Sequence, residues 1–180
     1  MRCFIAVDLP VNVKEELVSA QKQLSPAAAK MSLAHDFHLT LKFLGEITPA
    51  KVDAVKGLLA NIKFKSFTAN IAKIGVFPSE SSARVVWVGV EPEDSFIELQ
   101  QLADDSLRSE FKMDKGFKPH LTIARVKFVP DKLQLKRQLQ QVKIRNVKFP
   151  VESFKLKRST LSSQGAIYED LAVFNSSPTV

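Results

Sequence analysis

The sequence predicts an α+β fold of two similar lobes, each with a mainly antiparallel sheet and helices on its outer face, meeting at a central cleft. The first reason is a repeat, because "HLTLKF" at 38–43 returns as "HLTIAR" at 120–125 in a chain with only three histidines. The second is a shared offset of 82 residues, which also relates Phe4 to Val86, Pro10 to Pro92, Leu17 to Leu99, Phe67 to Phe149 and Lys73 to Lys155. We therefore expect residues 1–180 to form a single domain of two intertwined lobes related by a pseudo-twofold axis.

Each half opens with a strand and a helix. The segments "RCFIAVDLP" and "ARVVWVGVEP" are rich in β-formers and close on proline. The residues that follow have apolar side chains at helical spacing: Val13, Leu17 and Ala20 in the first half, and Phe96, Leu99, Leu102 and Ala103 in the second. The repeated motif then reads as a second strand in each half.

A second helix and further strands complete each half. The helices are predicted in "TPAKVDAVKGLLANI" and "VPDKLQLKRQLQQVKI", because a proline is tolerated in a first helical turn. Strands are predicted at about 67–77 and 149–158, each followed by a serine-rich turn and a return strand.

Composition limits the class of protein. Cys3 is the only cysteine, which excludes a disulfide within the chain and a cysteine-rich metal site. No apolar run approaches the roughly 20 residues of a membrane span, so we expect a cytoplasmic protein with no membrane contact. Lys and Arg outnumber Asp and Glu by 26 to 19. Such an excess attracts polyanions, but a lysine-rich solvated surface is the simpler explanation, and charge alone does not decide between the two.

Strand geometry predicts which side chains of the repeated motif share a face of the strand. Successive side chains alternate between the faces of a strand, so the apolar residues of the first motif should face a core. These residues are Phe37, Leu39, Leu41 and Phe43. The opposite face then carries His38, Thr40 and Lys42, and in the second copy His120 and Thr122. If the lobes are related by a twofold axis, two imidazoles and two hydroxyls converge on one cleft.

Such a set of groups suits phosphoester chemistry without a metal or cofactor. Two imidazoles with a reference pKa of about 6.5 can act as an acid–base pair, and hydroxyls can donate to phosphate oxygens. The bland alternative is that each histidine is an ordinary strand residue. A metal site built from His35, Asp36 and His38 is a further alternative. It is disfavoured because positions 35 and 38 point to opposite faces of a strand, and His35 is expected in an exposed loop.

The paired segments resemble a known family. "HLTLKFLGE" at 38–46 and "PHLTIARVK" at 119–127 are similar to the paired H-x-T-x motifs of the two-histidine phosphoesterases, and "MRCFIAVDLP" is similar to the N-terminal segment of one branch of them. Within that superfamily the sequence most resembles the RNA 2',3'-cyclic phosphodiesterases, also called 2'-5' RNA ligases. The resemblance implies metal-independent hydrolysis of a 2',3'-cyclic phosphate RNA end to a 2'-phosphomonoester. It also implies ligation of RNA halves through a 2'-5' linkage in vitro in some members. We further expect a monomer, with tRNA halves among the candidate substrates.

The resemblance also suggests roles for individual residues. His38 would protonate the departing 3' oxygen and His120 would accept a proton from the attacking water, while Thr40 and Thr122 would hold the phosphate. Arg125 matches the arginine that follows the second motif, as a phosphate clamp. Strict alternation places Arg125 on the wrong face relative to His120, so this role requires a bulge or a strand end.

Several neighbouring positions stay open. Lys42 is a candidate for RNA contact, with a solvated lysine as the alternative. Phe4 and Phe43 are candidates for stacking on a base, although a core position is expected for both. Two other functions fit the same residues: an RNA-end binding module without catalysis, and a phosphodiesterase for small cyclic phosphates such as a nucleotide or an ADP-ribose derivative.

Overall fold

A computed structural model describes residues 1–163 and 165–178, which form nine strands and four α-helices. In chain order the elements are β1 (Arg2–Asp8), α1 (Val11–Lys22), β2 (Lys30–Leu33), β3 (His38–Glu46), α2 (Pro49–Leu59), β4 (Phe67–Phe77), β5 (Val85–Glu91), α3 (Glu93–Ser106), β6 (His120–Phe128), α4 (Lys132–Gln141), β7 (Lys148–Val151), β8 (Ser153–Ser162) and β9 (Gly165–Asn175). Within these described ranges, no helix is long and apolar enough to cross a membrane.

The strands form two antiparallel sheets, which confirms the predicted α+β class. The first sheet has the order β3-β1-β8-β9 and the second the order β2-β6-β5-β4-β7. Each sheet contains strands from both halves of the sequence, because β4 of the first half pairs with β5 and β8 of the second half pairs with β1. The lobes are thus built by an exchange of inner strands.

The helices begin where local chemistry allows. Thr48 caps α2 by accepting a hydrogen bond from the Lys51 amide, with Pro49 as the first helical residue. In α4 the cap is Asp131, so Pro130 precedes the helix and does not start it. The apolar positions predicted for α1 and α3 are largely buried in the core, Val13, Leu17 and Ala20 in α1 and Phe96, Leu99 and Ala103 in α3.

Two details of the strands differ from the sequence-based expectation. The strand expected at about 149–158 is two strands, and they belong to different sheets. Phe149 and Val151 of β7 are buried in the second sheet, whereas Phe154 and Leu156 of β8 are buried in the first. The short strand β2 was not predicted, because its four residues, "KMSL", are too few to establish a periodicity; it forms the edge of the second sheet beside β6.

The internal repeat is not in one register throughout. Ala6 of β1 pairs with Thr40 and Trp87 of β5 pairs with Thr122, so these first strands correspond at an offset of 81. Pro10 and Pro92 still correspond at 82, because the second half has one more residue between its first strand and the proline. The pairings of Phe4 with Val86 and of Lys73 with Lys155 are therefore wrong: Lys155 lies beside Ala6 and corresponds to Gly75, which lies beside Trp87.

Both motif strands contain a β-bulge. In β3 the partner of Ile5 is Lys42 while that of Ala6 is Thr40, so Leu41 is an extra residue. In β6 the corresponding extra residue is Ile123. A bulge reverses the alternation of side chains beyond it, and the two strands share one burial pattern as a result.

The bulge corrects two predictions for the first motif. Lys42 is only 2% exposed and lies on the core side, so the structure does not place it in the cleft with His38 and Thr40. Phe43 was expected in the core but is 70% exposed on the side of the strand that carries His38. The strict alternation assumed for the strand ends at Leu41.

Lys42 is held by a buried network. Its ammonium pairs with Asp104 of α3, donates to the Lys112 carbonyl at 2.8 Å, and lies 3.3 Å from Asp114. Asp104, also 2% exposed, accepts a further hydrogen bond from the Asp114 amide at 2.7 Å. The network therefore joins β3 to α3 and to the segment that precedes the second motif.

We expect Lys42→Ala to lower the free energy of unfolding by about 3 to 5 kcal/mol, because it leaves the Asp104 carboxylate buried without its cation. Denaturant titration measures the change. Lys51→Ala is the matched control: it removes a partly exposed ion pair with Glu110 and should cost less than about 1 kcal/mol. Equal losses in the two variants would contradict a structural role for the Lys42 network.

Candidate active site

The two motif histidines occupy equivalent places. His38 is the first residue of β3 and His120 the first of β6, and both are half-buried, as are Thr40 and Thr122. Cα atoms of β3 and β6 approach within 8 Å although the strands belong to different sheets. The two motif strands therefore lie beside each other where the lobes meet.

His120 is fixed by a hydrogen bond. Its Nδ1 lies 2.7 Å from the Lys118 carbonyl, and since a carbonyl can only accept, Nδ1 carries the proton. In the neutral ring the lone pair is then on Nε2. The Phe77 ring packs edge-on against the imidazole at 4.9 Å, and the Trp87 ring lies 6.4 Å away. His120 thus has the tautomer of a proton acceptor at Nε2.

His38 is surrounded differently. Its ring lies 4.9 Å from the Phe4 ring and 5.0 Å from the Tyr168 ring, which meets it edge-on. Its Nδ1 is buried and has no hydrogen-bond partner among residues 1–163 and 165–178. Only Nε2 of this imidazole can reach a ligand.

Burial lowers the pKa of both imidazoles, because the charged form loses hydration. At His38, desolvation is the largest cause; Asp36 and Asp8 oppose it, while Lys157 and Lys14 add to it. At His120, desolvation again dominates the lowered pKa, the hydrogen bond to the Lys118 carbonyl opposes it, and Arg125 and Lys118 add to it.

Arg125 reaches the cleft side because of the bulge in β6. Beyond Ile123 the alternation is reversed, so Arg125 is exposed on the side of the strand that carries His120. The bulge that the sequence required for this residue is therefore present. The guanidinium also lowers the pKa of the Tyr168 phenol, although burial raises that pKa overall.

The surroundings of the two histidines differ in chemistry. Cross-strand partners share a face of a sheet, and beside the first motif that face carries Lys155, Lys157, Asp8 and Asp170, joined by ion pairs of 2.5 to 2.9 Å. Beside the second motif the equivalent positions are aromatic or small. Trp87 packs over Gly75, where an added Cβ would lie 2.3 Å from the indole, and stacks on Phe77 at 4.9 Å.

No signal in the sequence marks these neighbours of the histidines. Tyr168 and Asp170 come from β9 and Lys157 from β8, far along the chain from His38, whereas Asp8 of β1 and Lys155 of β8 lie in segments that the sequence singled out for other reasons. Phe4 is buried as expected, but it packs against His38 and so forms part of the site wall. Among the described residues no three His, Cys, Asp or Glu side chains could together hold a metal ion, and His35 is exposed in a loop.

The fold and these paired strands define a class: a bilobal α+β protein that repeats one histidine–threonine strand on either side of a cleft. The profile of the LigT-like phosphoesterases matches the chain twice, over residues 7–87 and 88–168. The chain belongs to this family, which confirms the resemblance seen in the motifs.

Relatives and solved structures cover nearly the whole chain. Proteins named RNA 2',3'-cyclic phosphodiesterase from Methanocaldococcus jannaschii and Archaeoglobus fulgidus are each 34% identical, over 94% and 97% of this chain and 97% and 99% of their own. The crystal structure of TT0787 from Thermus thermophilus has a TM-score of 0.80 at 32% identity and 97% coverage of both chains. Escherichia coli LigT in complex with 3'-AMP has a TM-score of 0.77 at 28% identity and 98% coverage of both chains.

We expect the imidazoles of His38 and His120 to titrate below about 6.5 in proton NMR of the free protein. At a pH between the lowered pKa of the folded protein and the ordinary pKa of about 6.5, the unfolded chain binds more protons than the folded one. The free energy of unfolding therefore rises with pH across this interval. Inorganic phosphate should raise both pKa values, since an anion favours imidazolium. His38→Asn and His120→Asn assign the resonances. Titration at or above 6.5 in the free protein would contradict the assigned burial.

Proposed function

We propose that this protein hydrolyses the 2',3'-cyclic phosphate end of RNA to a 2'-phosphomonoester, with His38 and His120 as a metal-independent acid–base pair. One observation carries the proposal: each motif strand presents a half-buried imidazole whose Nδ1 is either hydrogen-bonded or buried, which leaves Nε2 as the nitrogen that a ligand can reach. The names of the relatives support the reaction and the RNA substrate. The basic excess of the chain, 26 to 19, favours such a polyanion.

The proposed reaction is an in-line displacement at phosphorus. His120 Nε2 takes a proton from water as the water oxygen bonds to phosphorus, and His38 gives a proton to the 3' oxygen as the P–O3' bond breaks. The phosphorus keeps its bond to the 2' oxygen, so the product is a 2'-phosphate. Thr40 and Thr122 donate to non-bridging oxygens, and Arg125 neutralises charge that builds up on them.

The unequal surroundings of the histidines support these roles. The Lys118 carbonyl fixes the His120 tautomer that has a lone pair on Nε2, as a proton acceptor needs. To act as the proton donor, His38 must be in its imidazolium form, which carries a proton on both nitrogens, and the negative charge of a bound phosphodiester favours that form. The two rings thus offer the cleft one acceptor and one donor.

Complexes of a relative with phosphate-containing ligands support the binding of a nucleotide end in the cleft. Escherichia coli LigT has been crystallised with 3'-AMP, phosphate, ATP and NADP⁺. In this chain the exposed Phe43 ring lies at the position of the first motif that corresponds to Arg125 in the second. We assign Phe43 to contact with the base or ribose beside the reacting phosphate.

Replacing either His38 or His120 with Ala should lower kcat by at least about a hundredfold, because each proton transfer typically contributes that much. The assay uses EDTA-treated protein and an RNA with a 2',3'-cyclic phosphate end, with the position of the phosphate in the product identified. His35→Ala is the matched control and should retain wild-type turnover, since that side chain is exposed in a loop. Activity of the double variant at wild-type level would refute the mechanism.

Arg125→Ala should lower kcat/KM by roughly 10- to 100-fold, because a cation that contacts phosphate is lost in a partly desolvated site. Arg125→Lys should recover part of the loss, since it keeps the charge but not the bidentate geometry. Lys127→Ala provides the control, because Lys127 is the next exposed residue along the strand. If Arg125→Ala and Lys127→Ala lowered kcat/KM equally, the effect would come from the loss of positive charge in general, and Arg125 would not bind the phosphate specifically.

The same assay separates the other functions. Saturable RNA binding without product would indicate a binding module, and faster turnover of a mononucleotide 2',3'-cyclic phosphate than of an oligonucleotide would indicate a small substrate. Ligation through a 2'-5' linkage, tRNA halves as substrates, a monomeric state and a cytoplasmic location stay predictions.

A further inference from the structure

The two histidines differ in what holds them in place. His120 has a hydrogen bond from Nδ1 to the Lys118 carbonyl. His38 has no such bond at Nδ1 within the described part of the chain. Its orientation must therefore come from packing, and two rings supply that packing, Phe4 and Tyr168.

Tyr168 contacts His38 although the two residues lie on opposite edge strands of the sheet. β9 and β3 are the two edge strands of the first sheet, with β8 and β1 between them. Three strand spacings in a flat sheet would separate them by about 14 Å. The centroids of the Tyr168 and His38 rings are nevertheless 5.0 Å apart, with an interplanar angle of 84°. The sheet therefore curls so that Tyr168 closes over the imidazole.

The contact fixes the ring from two directions. Phe4 lies tilted against one side of the imidazole, and Tyr168 also meets Phe4 at 5.2 Å, so the three rings form one cluster. An edge-on aromatic contact of this kind adds a geometric preference to the burial of apolar area. Rotation of the His38 ring would have to displace Tyr168.

We propose that Tyr168 is a positioning residue for the proton donor: its ring holds the His38 imidazole with Nε2 towards the cleft, as the Lys118 carbonyl does for His120. The hydroxyl is not part of this role. The proposal rests on the proposed function for its kinetic readout alone.

Kinetics of three variants test the proposal. Tyr168→Leu should lower kcat at least about tenfold with KM changed by less than about threefold, because the donor is misoriented while binding groups remain. Tyr168→Phe keeps the ring and should stay within about threefold of wild type. The matched control is Phe174→Leu, which truncates another ring of β9: Phe174 stacks on Phe154 at 5.0 Å and packs against the core, so kcat should stay within about threefold of wild type.

A second readout does not depend on turnover. The Tyr168→Leu variant should raise the pKa of His38 towards that of a solvated imidazole, because the ring that desolvates it is gone, whereas Tyr168→Phe should leave the titration unchanged. The charges that face His38 are the same in both variants: Lys14 of α1, Asp36 in the loop before β3, Asp8 of β1 and Lys157 of β8. If the wild type fails to hydrolyse RNA, the proposed function is wrong. The His38 titration in the two Tyr168 variants still tests the positioning role, because it does not depend on activity.

Three results would overturn the proposal. One is a Tyr168→Leu variant with wild-type kcat and a wild-type His38 titration. Another is a Tyr168→Phe variant as impaired as Tyr168→Leu, which would transfer the role to the hydroxyl. The third applies even if Tyr168→Leu does not fold: the absence of a nuclear Overhauser effect between the Tyr168 and His38 ring protons of the wild-type protein.

Discussion

The β-bulge that directly follows the histidine and threonine of each motif strand is the constraint on which the candidate site depends. The bulges at Leu41 and Ile123 let the start of each strand present a histidine and a threonine to the cleft, and then return the following position to the core. Without them Arg125 would lie inside the molecule and Lys42 would lie in the cleft. The same device in both copies therefore sets which cation lies on the cleft side of its strand.

The two copies of the motif have diverged around a shared backbone. The position after the bulge is Lys42 in one lobe, where Asp104 stabilises it, and the apolar Ala124 in the other. The next position is Phe43 in the first lobe and Arg125 in the second. On one side of the cleft lies a charge-balanced group of two lysines and two aspartates, and on the other lie Trp87 and Phe77. The surroundings of the two histidines thus differ in charge, because ion pairs lie beside His38, whereas the rings of Phe77 and Trp87 that pack on His120 are uncharged.

Periodicity and repetition predicted the fold class, the helices, most strands and the two histidines, because those signals are local in sequence. The sequence also indicated a bulge before Arg125, because strict alternation of side chains would place Arg125 on the face opposite to His120, where it could not contact a phosphate. Lys42 and Phe43 were misplaced because the same parity rule was applied without a bulge in the first copy. Strand β2 is too short to carry a pattern. Tyr168 could not be found, because its contact with His38 exists only after the sheet has curled across three strand spacings.

The exchange of inner strands between the lobes has a consequence for how the chain folds. β4 lies between β5 and β7, and β8 lies between β1 and β9, so each sheet lacks an interior strand until the other half of the chain arrives. Neither half can complete its hydrogen-bond ladder by itself, and buried backbone groups without partners are costly. The lobes should thus melt in one cooperative transition. A chain cut between the halves should regain order only when both fragments are mixed.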